Sequence, residues 1–140
     1  MSRHWILVAG ATSARMFESL PNDLIQPLEN WADEGGQLKK HELETDGEGK
    51  DDVGVAVGHP DHQNHEHAKF AIQVAAMVNS RTEHFDELIV VAPDQTLGEL
   101  RAAFSPEATR KVTQEVHKNW AHSTLHELPE LLKKALQTVN

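Results

Sequence analysis

The stretch Glu87–Phe104, "ELIVVAPDQTLGELRAAF", decides the fold. Glu87–Ala92 is a short, almost continuous apolar run that stops at Pro93, the pattern of a strand buried on both faces. Thr96 and Glu99 then have capping-box spacing, which predicts a short helix carrying Leu97, Leu100 and Phe104. A buried strand running straight into a helix is the repeating unit of an open α/β sheet. His4–Ala9, "HWILVA", is a second run of the same kind, bounded by Gly10. The two runs are expected to be adjacent, parallel and central.

Outward from these runs the order of elements follows. "ATSAR" is a tight turn and Arg15–Leu20 alternates as a strand, so it should lie antiparallel to the first, on the side away from Glu87–Ala92. Pro21-Asn22-Asp23 ends that strand. Leu24, Leu28 and Trp31 have helical spacing, but Pro27 would interrupt a helix, and Leu24–Trp31 stays ambiguous. Gln37–Asp46 reads as a half-exposed strand. Asp46–Gln63 carries four Gly and dense acid, which predicts a mobile loop at about 47–63. Asn64 is placed to cap a helix whose apolar face is Phe70, Val74, Met77 and Val78. Ser105-Pro106 starts another helical turn, with Pro at the first helical position. "KVTQEVHKNW" (Lys111–Trp120) alternates as a strand. Thr124-x-x-Glu127 can cap a final helix bearing Leu128, Leu131, Leu132, Ala135, Leu136 and Val139. The order β-β-β-α-β-α-β-α describes a mixed sheet of five strands, its second strand antiparallel, with helices on its faces. One domain over residues 1–140 accounts for all of it.

Composition narrows the function. The chain has 140 residues, 39% of them hydrophobic, a mean hydropathy of -0.52 and a formal net charge of -9. No apolar run approaches the roughly 18 residues of a membrane span, and the N-terminus is too short for a secretory apolar region. There is no Cys, hence no disulfide framework and no thiolate ligand or nucleophile. A cytoplasmic protein with no membrane partner is expected. Basic residues are scattered, with adjacent lysines only at Lys39-Lys40 and Lys133-Lys134, whereas proteins that neutralise phosphate backbones concentrate positive charge. DNA is not an expected partner, and tight autonomous RNA binding is disfavoured.

Four stretches together resemble one family: "WILVAGATSARMFE" (Trp5–Glu18), "ETDGEGK" (Glu44–Lys50), "VVAPDQTLGELRAAF" (Val90–Phe104) and "TLHELPELLKKAL" (Thr124–Leu136). With the helix around "HEHAKFA", they look like the bacterial host-attachment protein family, whose members are described as required for attachment to host cells. That family is similar in turn to the middle domain of the archaeal and eukaryotic class-1 peptide-chain release factor. The resemblance implies a ribonuclease-H-like, three-layer α/β sandwich with a five-stranded mixed sheet. By analogy it implies a ribosome or RNA partner; a protein partner is the other expectation. This chain has Gly10 where the family commonly has an Asp in the first turn. It has Asn119-Trp120-Ala121 where the family commonly has Asp-Leu-Thr.

Three features could carry chemistry. Gly35-Gly36-Gln37 matches the release-factor tripeptide whose Gln orients a hydrolytic water. In release factors, however, that tripeptide precedes the long helix after the third strand, and here Asp33-Glu34 flank it. A Gly-Gly turn opening a strand is the reading adopted, without peptidyl-tRNA hydrolysis. Thr96, Gly98 and Arg101 form the family-like motif at a strand end, where open α/β sheets bind ligands. Arg101 could hold a phosphate or carboxylate, or pair with a nearby acid; Gly98 could be a close-packing position. His59, His62, His65 and His67 could supply metal ligands, three imidazoles with Asp61 sufficing for tetrahedral zinc. Their spacing matches no established signature, and His65 and His67 would diverge by about 200° on a helix. The simpler alternative is a polar loop leading into a helix. Trp5, Trp31 and Trp120 each border apolar sequence and read as core anchors. The expected function is a cytoplasmic binding module that requires no cofactor. The alternatives are a metal-dependent hydrolase built on the His-rich loop, using a divalent ion, and an adhesion-related structural protein.

Overall fold

A computed structural model describes residues 3–34, 37–41 and 60–137. One sheet organises them. Its strands are β1 (His4–Ala9), β2 (Ser13–Leu20), β3 (Leu24–Glu34), β4 (Gln37–His41), β5 (Glu87–Ala92) and β6 (Val112–His117). They lie in the order β4-β3-β2-β1-β5-β6. β1 pairs antiparallel with β2 and parallel with β5, and β6 extends the parallel half beyond β5. The helices are α1 (Pro60–Asn79), α2 (Asp94–Ala103), α3 (Pro106–Lys111) and α4 (Leu128–Gln137).

Successive side chains of β1 alternate between two buried faces, as a central strand requires. Trp5, Leu7 and Ala9 join a core with Phe70, Val74 and Val78 of α1, Leu97 and Leu100 of α2, and Ala108 of α3. Ile6 and Val8 face the other way, onto Leu128 and Leu132 of α4, with Val91 and Val116. The result is three layers: α1, α2 and α3 on one face of the sheet and α4 on the other. Trp5 and Trp31 are buried, and Trp120 packs half-buried against the second cluster. Among the described residues no helix is long and apolar enough to cross a membrane.

The five expected strands are present, and a sixth, Leu24–Glu34, joins them. Its helical spacing has a physical origin. The β2–β3 register shifts between Met16 and Phe17, so that Met16 faces Glu29 while Phe17 faces Pro27, and Leu28 is the extra residue. One inserted residue breaks the period of two, and Leu28 and Trp31 reach the same core three positions apart. Among the described residues β4 pairs only with Asn30–Glu34, and Pro27 lies beyond that pairing, at a position where a strand tolerates the missing N–H.

Two helix starts differ from expectation. α1 begins at Pro60, not at an Asn64 cap, because proline at the first helical position costs no backbone bond. The expected loop at 47–63 therefore ends before Pro60; residues 42–59, with the end of the strand expected to reach Asp46, lie outside the described residues. α2 begins at Asp94, with Pro93 as the cap residue and no side-chain cap. The Leu97 amide already donates to the Pro93 carbonyl at 2.8 Å, so Thr96 lies inside the first turn and cannot cap it. The other two caps form. Ser105 Oγ accepts from the Ala108 amide at 3.1 Å. Thr124 and Glu127 make both capping-box bonds, each 3.1 Å.

Candidate ligand site at the strand ends

Because β1, β5 and β6 are parallel, their C-terminal ends emerge at one edge of the sheet, with Ala92 opposite His117. The β1–β2 turn, the start of α2 and the segment after β6 meet there. In open α/β sheets this is the edge where ligands bind.

From this edge α2 runs back along β6, and side chains of the two elements face each other. Asp94 and Arg101 are seven residues apart, two turns of α2, and so lie on one side of it. Glu115 and His117 are two apart on β6 and share one face of the strand. Arg101 grips Glu115 through Nε at 3.1 and 3.0 Å and Nη2 at 2.6 Å. Asp94 Oδ1 lies 2.6 Å from His117 Nδ1. The Arg101 hydrogen bonds hold the Glu115 carboxyl below its ordinary pKa, against the opposing effect of partial burial. The pairing with Glu115 likewise raises the Arg101 pKa. An open groove of about 560 Å³ runs beside these pairs, lined by Arg101, Phe104, Thr109, Thr113, Glu115 and His117 among others.

The residues expected from sequence do not converge. Arg101 reaches the groove. Thr96, only 6% exposed, belongs to the core side of the same helix. Gly98 is not a close-packing position, since a Cβ there would meet no atom within 4 Å. Asp94, Glu115 and His117 are the residues that sequence reading missed. Their signal was present in the two spacings, seven on a helix and two on a strand, but it acquires meaning only once β6 is placed beside α2.

His59 lies outside the described residues. His62, His65 and His67 fall within the first turns of α1, and their side chains also lie outside the description. Among the described residues, no group of three or more His, Cys, Asp or Glu could hold a metal ion. Gln37 opens β4, paired with Glu34; Gly35 and Gly36 lie outside the described residues.

The two departures from the family pattern meet at the same edge. A Cβ on Gly10 would fall 2.6 Å from Ala121 Cβ and 3.8 Å from Asn119 Oδ1. Arg15 Nη2 donates to the Trp120 carbonyl at 2.8 Å, fixing the segment after β6 over the first hairpin. The close approach needs a glycine at position 10.

A mixed α/β sandwich with a groove along β6 framed by paired charges is the class that fold and site define. The sequence matches the family model described as "Protein required for attachment to host cells" over residues 5–132, and the chain belongs to that family. No curated protein matches the sequence.

Proposed function

We propose that this host-attachment family protein is a binding module working through the groove that runs along β6, between the strand and α2. The observation that carries this reading is the Arg101–Glu115 pair. A guanidinium held on one side by a carboxylate is fixed in orientation, and its remaining N–H groups are directed to whatever enters the groove. A preorganised donor beside a groove favours recognition. The release-factor tripeptide plays no part in this function: Gln37 opens a strand in register with Glu34, next to the acidic Asp33.

The finer part of the proposal is a ribosomal partner, in a cytoplasmic setting. It is supported by the resemblance to the release-factor middle domain and by a sheet in which β2 runs antiparallel to β1 while β5 and β6 run parallel to it. The net charge of -9 directs that contact toward ribosomal protein surface, since bare RNA phosphate would repel it.

Purified chain should co-sediment with ribosomes, and Arg101→Ala should weaken that association while leaving the fold intact. Neither the wild type nor Gln37→Ala should release peptide from peptidyl-tRNA. Hydrolysis that depends on Gln37 would refute the binding-module reading. Absence from the ribosomal pellet would refute the ribosomal partner alone.

A further inference from the structure

We propose that the α2–β6 groove is a site for a small phosphate monoester, held between Arg101 and His117. This rests on the groove being the binding surface and adds the chemistry of what it takes.

Each of the two facing pairs leaves one group unspent. Arg101 uses Nε and Nη2 on Glu115, and Nη1 has no partner among the described residues. His117 uses Nδ1 on Asp94, and Nε2 has none. Both residues line the same groove, which at about 560 Å³ has the size of a small-molecule site. Glu115 and Asp94 act as positioning residues, orienting the guanidinium and the imidazole.

The protonation pattern selects the ligand. With the Asp94 carboxylate as acceptor, the proton of neutral His117 sits on Nδ1, and Nε2 is an acceptor. A phosphate monoester has a second ionisation near pH 6 and carries or sheds one proton there. Its monoanion donates a hydrogen bond to Nε2 of the neutral imidazole, while Nη1 of Arg101 holds another oxygen. A sulfonate or a phosphate diester has no proton to give to Nε2. Thr109 and Thr113 add hydroxyls along the groove. The site also limits how much phosphate it attracts: Asp94 and Glu115 flank it, each paired with one of the two groups that would hold the ligand, His117 and Arg101. That balance suits one terminal phosphate and opposes a run of diesters.

The test is an NMR titration of the full chain, following histidine ring nitrogens, with phenyl phosphate and with benzenesulfonate. Phenyl phosphate should move the His117 Nε2 resonance saturably, and benzenesulfonate should bind at least about tenfold more weakly, the loss of one charge-assisted hydrogen bond. Arg101→Gln and His117→Asn should each weaken phenyl phosphate about tenfold or more. Preserved dispersion in their spectra certifies that the variants are folded. Glu115→Gln, which keeps every groove donor but loosens Arg101, should weaken binding by a smaller factor. A His117 resonance that does not respond, equal binding of the two probes, or undiminished affinity in Arg101→Gln would each overturn the proposal. If these fail while ribosome association persists, the phosphate site is wrong and the binding-module reading stands.

Discussion

At the scale of single residues, Gly10 and Glu115 show how one side chain, or its lack, sets the strand-end edge. A Cβ on Gly10 would sit 2.6 Å from Ala121 Cβ, so neighbouring backbone must move to admit it. Gly10→Ala should therefore destabilise the protein by about 1–3 kcal/mol, as overpacking of a tight site does. Adding Ala121→Gly should recover part of that loss, a coupling that a double-mutant cycle in urea would measure. For Glu115 the sign follows from its lowered pKa. The stabilisation from its pair with Arg101 is fully present above the unfolded carboxyl value, about 4.3, and is lost as pH falls through the lower folded value. Thermal melts should find the wild type more stable than Glu115→Gln at neutral pH, with the two converging in acid. A constant difference at every pH would show that ionisation of Glu115 contributes nothing.

At the scale of elements, the helix termini separate what local sequence determines from what the tertiary structure decides. Ser105 and Thr124 cap as their spacing predicts, each hydroxyl accepting from the amide three residues on. Thr96 has the same spacing with Glu99, yet strand β5 delivers the chain to Pro93 already poised for helix, and the first turn is used before Thr96 is reached. Asn64 fails for a related reason, with Pro60 starting α1 earlier. Thr124→Ala should then cost about 1 kcal/mol, read from the denaturant midpoint. A cost near zero would mean that α4 is held by its packing on the sheet alone. β3 was illegible as a strand for a different reason. Its bulge opposite Met16 and Phe17 creates a three-residue spacing between Leu28 and Trp31 that mimics a helix.

At the scale of the whole molecule, the buried runs at His4–Ala9 and Glu87–Ala92 were sufficient to place the centre of the sheet, because strands covered on both faces cannot lie at an edge. Leu7, fully buried on the α1–α2 face of the sheet and flanked by β2 and β5, is the clearest probe of that centre. Leu7→Ala should cost about 2–5 kcal/mol in equilibrium unfolding. Thr113→Ala, on the exposed edge strand, should stay within about 0.5 kcal/mol of the wild type. The site was less legible than the core. Arg101 could be picked out from a local motif, whereas its partners belong to a strand that sits beside α2 only because β6 pairs with β5.

The pairing of β1 with β5 also governs the order in which the chain can assemble. The β1–β2–β3 meander closes through turns of a few residues, whereas Arg3 and Asp86, which join the start of β1 to the start of β5, are 83 positions apart. Closing a loop of that length costs roughly 4 kcal/mol of chain entropy before any contact across it repays the loss. The antiparallel half can therefore form early, and the parallel half, with the groove along β6, must wait for that closure. Pulse-labelled hydrogen exchange should show amides of β2 and β3 protected before those of β5 and β6. A nascent chain would thus be committed to its fold while still unable to bind anything through the α2–β6 edge.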